Sequence, residues 1–415
     1  MKSASLSSAS HLSATTKPAG LDALACRLVL RRLGALRHGR IRLVHDGQEA
    51  VFGEPGGAGV MEASITVCDA RFWSDIAFGG SIGAGEAYMQ GAWHCDDLVA
   101  LVRIMLRNRS VLEGMEGGWA RLSRPLQKLF HWVNRNTRTG ARRNIAAHYD
   151  LGNEFFALWL DPSMMYSSAI FERPDMTLAE AQLARLDAVC RKLDLGPDDH
   201  VIEIGSGWGG FAIYAAERHG CRVTTTTISR RQYALTQERV AAAGLGDRIT
   251  VLMQDYRDLR GRFDKLVSLE MIEAIDSYQY DSYFNRCSEL LKPGGRMLIQ
   301  AITIADRRYA QAQKSVDFIQ RYIFPGSCLP CVSVMVGTIA RVSDLQVTGI
   351  EDIGLHYATT LNHWRRNFFA RLDEVRALGY PEAFIRMWEY YFCYCEGGFL
   401  ERAISDVHLL AEKPG

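Results

Sequence analysis

The sequence has no apolar run approaching the roughly 18 residues that a membrane-spanning helix needs, so a transmembrane helix is excluded. It has almost no net charge. Forty-eight Lys and Arg stand against 47 Asp and Glu in 415 residues, a formal +1. That balance argues against general nucleic-acid binding, and no nucleic-acid partner is expected. Residues 1–20 are rich in Ser and Ala and lack the apolar core of a secretory signal. They are read as a disordered start, and the protein as cytoplasmic. Cysteine is present ten times, but in no pattern that binds zinc. Cys328 and Cys331 form a C-x-x-C, whereas a structural zinc needs four ligands and no second pair has suitable spacing. The thiols are therefore read as reduced, with no metal site and no disulfide framework.

What is there is globular, with 48% hydrophobic and 23% charged residues, and long enough for two domains. The stretch that organises the rest is Val201-Ile202-Glu203-Ile204-Gly205-Ser206-Gly207-Trp208-Gly209-Gly210. An apolar run ends in an acid, and a glycine-rich turn leads into the helix-like Phe211–Arg218. Strand, turn and helix in that order describe the first βα unit of a doubly wound nucleotide-binding sheet. Glycines let the backbone approach a ligand, and the helix supplies free N–H groups. No acid follows about 20 residues later to hold a ribose, and no phosphate-binding lysine is present. The next strand, Arg222–Ser229, ends in hydroxyls, with Gln232 beyond. Glu203 could meet a cationic ligand head. These features favour S-adenosylmethionine over NAD or ATP. The plain alternative is a tight turn in an α/β sheet.

In chain order, residues 21–118 form a small N-terminal domain. Leu21–Leu33 reads as a helix, and Ile41–Phe52 and Ala63–Cys68 as strands around a Gly53–Gly57 turn. Asp96–Leu106 is an amphipathic helix. Residues 119–144 form a basic linker: Arg121, Arg124, Lys128, Arg135, Arg138, Arg142 and Arg143 stand there with no Asp or Glu. Trp119, Leu122, Phe130 and Trp132 are interleaved, which suits an anionic membrane surface. A solvated linker helix packed on a domain would carry the same pattern.

The catalytic domain is expected over 145–415. Thr177 and Glu180 have capping-box spacing, and Leu183, Leu186, Val189 and Leu193 give that helix an apolar stripe. Strands are read at Ile249–Met253, Phe263–Glu270 and Arg296–Thr303, alternating with helices. This predicts a mostly parallel sheet with its ligand at the strands' carboxyl ends. Glu203, Asp255, Glu273 and Gln300 all fall near such ends and form the site candidate. From Ala305 the chain reads as helical and aromatic, either ordinary packing or a lid over a long apolar substrate.

Several motifs combine into a resemblance. They are His148-Tyr149-Asp150-Leu151-Gly152-Asn153, Asp161–Ser167, Glu203–Gly209, Ile323-Phe324-Pro325-Gly326 and His356–Leu361, with the tail around Cys395. Together they resemble the cyclopropane-fatty-acyl-phospholipid synthases and mycolic acid cyclopropane synthases. The resemblance implies a class I S-adenosylmethionine-dependent methyltransferase fold, Rossmann-like, with a small N-terminal domain and a helical, aromatic-rich substrate lid. It implies an enzyme that transfers a methylene from S-adenosylmethionine to the cis double bond of an unsaturated phospholipid acyl chain. A related methyl transfer giving a methyl-branched or methyl-alkene lipid is the alternative. The enzyme would be peripheral to the inner face of the membrane, and a homodimer is compatible with it.

Carried over by motif, the cofactor would be held by Tyr166, Ser167, Glu203, Gly205, Ser206, Gly207, Trp208 and Gly209. Thr227, Ile228, Ser229, Gln232, Asp255 and Tyr256 complete that set. The resemblance also implies a bound bicarbonate ion, at positions that read Ser168, Glu273, Gln300, Ile302 and Tyr357 here. Ser168 replaces the family's usual Cys and Gln300 its usual His. Both can hydrogen-bond an anion, but Gln cannot relay a proton. Tyr357 and Glu273 would anchor the small basic anion, and a bare Glu273 carboxylate is the alternative base. Cys395 matches the tail cysteine counted among the family's active-site residues.

Overall fold

The computed structural model describes residues 20–109, 111 and 151–415. The basic stretch 119–144 and the motif at His148–Asp150 lie outside the described residues. The described chain divides into two compact units. The first gathers the residues up to 111 with Ser315–Ile323 and Arg376–Ala403, and the second gathers those from 151 to Lys314 with Phe324–Val375 and Ile404–Gly415.

The first unit opens with α1 (Leu21–Leu33), β1 (Arg40–His45), β2 (Gln48–Gly53), β3 (Glu62–Val67), α2 (Arg71–Met89), β4 (Trp93–Cys95) and α3 (Leu98–Arg107). Its sheet has the order β2-β1-β3-β4. The expected single strand Ile41–Phe52 is corrected to a hairpin, with Arg40 opposite Gly53 and His45 opposite Gln48. Asp46 and Gly47 turn the chain at φ 50° and 73°. Two consecutive left-handed residues match the right-handed twist of the flanking strands, which is why Asp-Gly sits there. Ile41, Leu43, Ala63, Ile65 and Val67 alternate into the core. The side chain of Asp97 caps α3 by accepting from the Ala100 amide at 2.8 Å.

The second unit begins with α4 (Asn153–Ala157) and α5 (Leu178–Leu193). Helix α5 starts at the capping box of Thr177 and Glu180, in which each side chain takes the other's backbone N–H. Then follow β5 (His200–Ile204), α6 (Gly210–His219), β6 (Arg222–Thr227), α7 (Arg230–Ala242), β7 (Ile249–Met253), β8 (Phe263–Leu269), α8 (Tyr280–Leu290) and β9 (Leu291–Ile304). The chain continues through α9 (Val332–Val342), β10 (Gln346–Asp352), α10 (Gly354–Ala370), α11 (Glu382–Leu400) and β11 (Ile404–Glu412). Helix α11 belongs to the first unit. It lies so close to α3 that a Cβ on Gly397 would come within 2.7 Å of Val102.

The second unit's sheet has seven strands in the order β10-β11-β9-β8-β5-β6-β7. Strands β9, β8, β5, β6 and β7 are parallel, while β11 runs antiparallel to both β9 and β10. The tail beyond Ala305 is therefore not all helical, since it contributes two antiparallel strands. Neither advertises itself. Most of β10 is exposed, and β11 carries Asp406 and His408 at buried positions where an apolar residue would have signalled a strand. Apolar layers cover both faces of the sheet. Ile202, Leu266 and Ile299 pack on one side, and Val201, Val223, Val267 and Leu298 on the other. Each such side chain, fully buried, contributes about 1.5–3 kcal/mol. Strand β5 lies between β6 and β8, so connections leave it in opposite directions. This is the switch point at whose carboxyl end open α/β sheets bind ligands.

Candidate functional site

The turn after β5 is built from glycine for a reason visible in its backbone. Gly205, Gly207 and Gly209 have φ of 100°, 48° and 84°. A Cβ at Gly205 would approach the Met271 side chain at 3.2 Å, and one at Gly209 would come within 2.9 Å of Thr236. At Gly207 it would meet nothing within 4 Å, so the turn is tight yet borders open space. Ser206 is fixed by its amide, which donates to the Thr226 carbonyl at 2.8 Å. Trp208 is buried and donates from Nε1 to Asn153 Oδ1 at 2.8 Å.

The other expected cofactor residues occupy the neighbouring loops. Thr227 ends β6 and donates from its hydroxyl to Gln232 Oε1 at 2.8 Å, and half-buried Ile228 follows it. Ser229 caps α7 at the Gln232 amide. Asp255 follows β7, and Arg257 forks onto its carboxylate at 2.8 and 2.6 Å. Buried Tyr256 lies edge-on to Tyr283. Tyr166 sits among Phe156, Trp159, Phe324 and Trp364, with ring centroids 5.2–6.0 Å away. The Ser167 hydroxyl accepts from Arg185 Nη2 at 3.0 Å.

Glu203 does not point out as a free carboxylate. It is buried, and its Oε2 accepts from the hydroxyl of Thr225, its register partner on β6, at 2.5 Å. Burial pushes its carboxyl up to about 8, while Thr225 and Arg185 pull the other way. A neutral group at pH 7 holds a cationic head more weakly than the carboxylate expected from sequence.

The structure divides the four strand-end residues. Glu203 and Asp255 have the separate partners just given. Gln300 and Glu273 join a buried polar cluster whose centre is a residue the sequence reading passed over, Glu270. It follows β8 with φ 51°, a left-handed conformation that costs a non-glycine residue free energy. Its Oε1 accepts from the Ser168 amide at 2.8 Å and from Gln300 Nε2 at 2.7 Å. Its Oε2 accepts from the Tyr357 hydroxyl at 2.8 Å. Gln300 Nε2 also reaches Asp406 Oδ2 at 2.9 Å, and Gln300 Oε1 lies 3.2 Å from His408 Nε2. Glu273 Oε1 takes the Ile302 amide at 2.5 Å, while its Oε2 is buried with no hydrogen-bond partner.

The charges of this cluster follow from burial. Glu273 is pushed up to about 8, first by desolvation and then by the neighbouring Glu270. Desolvation also holds Asp406 well above the usual carboxylate range, reinforced by Glu270 and Glu273. Glu270 is raised by burial as well, but the Ser168 amide, Gln300 Nε2 and the Tyr357 hydroxyl donate to it and Arg185 attracts it. Arg185 is fully buried on α5, with Nε and Nη1 unpaired, and is the cluster's cation. Burial opposes charge on all three carboxyls, and the donors converging on Glu270 with the attraction of Arg185 favour Glu270 as the one that carries the negative charge.

Ser168, Glu273, Gln300, Ile302 and Tyr357 are thus brought together, but the donors among them are used inside the chain. Ser168, Gln300 and Tyr357 serve Glu270, and Ile302 serves Glu273. As they stand, these residues do not fit a separate bicarbonate ion. Cys395 lies in the first unit on α11, where burial pushes its thiol up and keeps it neutral. Arg185, Asp406 and His408 were also missed, because a charged residue in an apolar helix stripe or a short late strand gives no motif.

The cofactor is a different matter. The open space at Gly207 and the three consecutive loops after β5, β6 and β7 fit S-adenosylmethionine. When bound there, it supplies an electrophilic methyl group. The model of the family described as mycolic acid cyclopropane synthetase matches residues 136–409. A tuberculostearic acid methyltransferase of Mycobacterium tuberculosis is 39% identical over 329 residues, covering 77% of this chain and 76% of that one. The cyclopropane-fatty-acyl-phospholipid synthase of Escherichia coli K12 is 37% identical over 353 residues, covering 84% and 87%. A solved mycolic acid cyclopropane synthase complexed with SAH and CTAB superposes with a TM-score of 0.61 at 31% identity, covering 66% of this chain and 98% of that one. The chain belongs to the mycolic acid cyclopropane synthetase family and is an S-adenosylmethionine-dependent methyltransferase.

Proposed function

We propose that this enzyme adds a methylene to the cis double bond of an unsaturated acyl chain of a membrane phospholipid, closing a cyclopropane ring. The observation that carries this reading is the buried carboxyl cluster around Glu270, beside Tyr357, in a chain 37% identical over 84% of its length to a cyclopropane-fatty-acyl-phospholipid synthase. An alkene is a weak nucleophile, and its methylation leaves a carbocation on the acyl chain. The site must stabilise that cation, keep water away and accept one proton.

The aromatic group supports the first two tasks. Tyr166, Trp159 and Trp364 lie within 5.5 Å of one another, and Tyr357 stands edge-on to Trp364 at 5.8 Å. An aromatic face contributes about 0.5–2 kcal/mol to a desolvated cation. Trp159 and Trp364 are fully buried, so they back Tyr166 on a side from which water is excluded. For the third task the cluster offers a buried carboxylate. Proton acceptance by a positioned side chain is worth about 10²–10⁴ in rate.

The second reading is a methyl-branched or methyl-alkene product, and it has support in the 39% identity to a tuberculostearic acid methyltransferase. Proton loss from the added methyl with ring closure gives the cyclopropane. Proton loss that leaves a C=C gives a methyl-alkene or methylene lipid. A saturated methyl branch follows only when a separate reductase adds two electrons and two protons to that alkene. No described helix is long and apolar enough to cross a membrane. We place the enzyme at the inner membrane surface, with the acyl chain drawn up to it. Mass spectrometry of lipids from expressing cells, before and after ozonolysis, tests both readings. A gain of one methylene that resists ozonolysis marks a ring. The same gain with cleavage marks a methyl-alkene or methylene lipid, and no gain refutes both.

A further inference from the structure

We propose that Glu270 is a built-in base, a carboxylate of the chain itself standing where the family resemblance puts a bound bicarbonate ion. The inference rests on the methyl-transfer reading above and names the group that accepts its proton. Three of the donors expected for bicarbonate converge on this one side chain: the Ser168 amide and Gln300 Nε2 on Oε1, and the Tyr357 hydroxyl on Oε2, at 2.7–2.8 Å. The fourth, the Ile302 amide, is taken by Glu273. A loose anion would have to displace one carboxylate or the other.

The backbone is bent to deliver this arrangement. Glu270 adopts φ 51°, and its amide is anchored to the Gln300 carbonyl at 2.8 Å. A strained non-glycine residue persists only where its surroundings over-determine it, and such residues gather at functional sites. The exchange at position 300 fits the same picture. Gln300 cannot titrate, so it cannot pass a proton to or from an external anion. It can hold a fixed carboxylate, and it does so while also bonding Asp406 and lying 3.2 Å from His408. Buried Arg185 supplies the countercharge, and Glu273 Oε2 is buried and unpartnered within the same cluster.

The step balances without a co-reactant. A C–H bond beside the acyl-chain cation breaks. Its electron pair becomes the third ring bond, and the proton goes to Glu270 Oε2, which still has a lone pair beside the Tyr357 hydrogen bond. The glutamic acid then returns the proton to solvent as product leaves.

The test asks whether the protein takes up bicarbonate at all. Sodium bicarbonate is titrated calorimetrically into the SAH-bound protein in CO₂-free buffer. The expected result is no saturable binding by the parent and saturable binding by Glu270→Gly, in which the side chain is removed and a left-handed backbone is at ease. In parallel, turnover is measured on vesicles of unsaturated phospholipid. The parent should change less than twofold on adding bicarbonate. Glu270→Gly should lose at least 100-fold without bicarbonate and regain at least tenfold with it. Stoichiometric bicarbonate binding by the parent, or a variant as fast as the parent without bicarbonate, overturns the proposal. If Glu270→Gly does not fold, the parent titration still decides. If no lipid is methylated at all, the functional reading fails, while the titration still decides what occupies the anion position.

Discussion

The hydroxyl of Tyr357, on α10, donates to Oε2 of Glu270, just past β8, across 2.8 Å. This bond joins two residues 87 positions apart in sequence and fixes the orientation of the carboxylate. Tyr357→Phe removes one donor and leaves the ring against Trp364. Turnover on phospholipid vesicles should fall by about 10- to 100-fold, the usual scale for one hydrogen bond to a charged group. Calorimetric affinity for SAH should stay within twofold. A tenfold loss of that affinity would show that Tyr357 serves the cofactor instead.

Gly207 tests the cofactor turn. Its φ is 48° and no atom lies within 4 Å of where a Cβ would stand, so a cofactor seated on the turn would have room there. Gly207→Val should lower SAH affinity at least tenfold, about 1.4 kcal/mol by isothermal titration. Unchanged affinity would move the cofactor away from this turn.

Glu203 gives a pH prediction. Burial raises its folded value to about 8 from an ordinary 4.5. The folded state therefore holds this proton more tightly than the unfolded chain. The resulting stability is fully present below pH 4.5 and is lost as pH rises through 8. At about 1.4 kcal/mol per unit, a few kcal/mol are at stake. The Tm of the ligand-free protein should fall between about pH 5 and 9. Glu203→Gln, which can still accept from Thr225, should flatten that fall. Parallel curves for parent and variant would refute the assignment.

Membrane docking is predicted from sequence alone, since residues 119–144 lie outside the described structure. Each Lys or Arg near an anionic surface contributes about 1 kcal/mol, screened by salt. Replacing Arg135, Arg138, Arg142 and Arg143 by Gln should weaken co-sedimentation with anionic vesicles by a few kcal/mol at low salt. SAH binding should be untouched. Equal sedimentation and equal activity on vesicles would make the segment a linker.

The parallel half of the second unit was legible because its strands, Gly-rich turn and helix caps obey short-range rules. Glu203 to Gly209 and the Thr177–Glu180 box can be read from ten residues at a time. The two antiparallel strands could not, because β11 buries Asp406 and His408, which look like surface residues. The site was half legible for a related reason. Glu273, Gln300 and Tyr357 came from motif likeness, whereas Glu270 was read as the last residue of a strand. What sets it apart is its left-handed backbone and a hydroxyl 87 positions away. The one local sign was its spacing, Glu270-Met271-Ile272-Glu273, which places two acids on one turn.

Strand β11 lies between β9 and β10 although it follows all six other strands of its sheet in the chain. A ribosome making this protein therefore delivers an interior strand last. Until Ile404–Glu412 emerges, β9 has a bare edge on that side, and Gln300 lacks both Asp406 and His408. An open edge of that kind pairs readily with other chains. The nascent protein thus keeps an edge open to pairing until the polar cluster around Gln300 is closed.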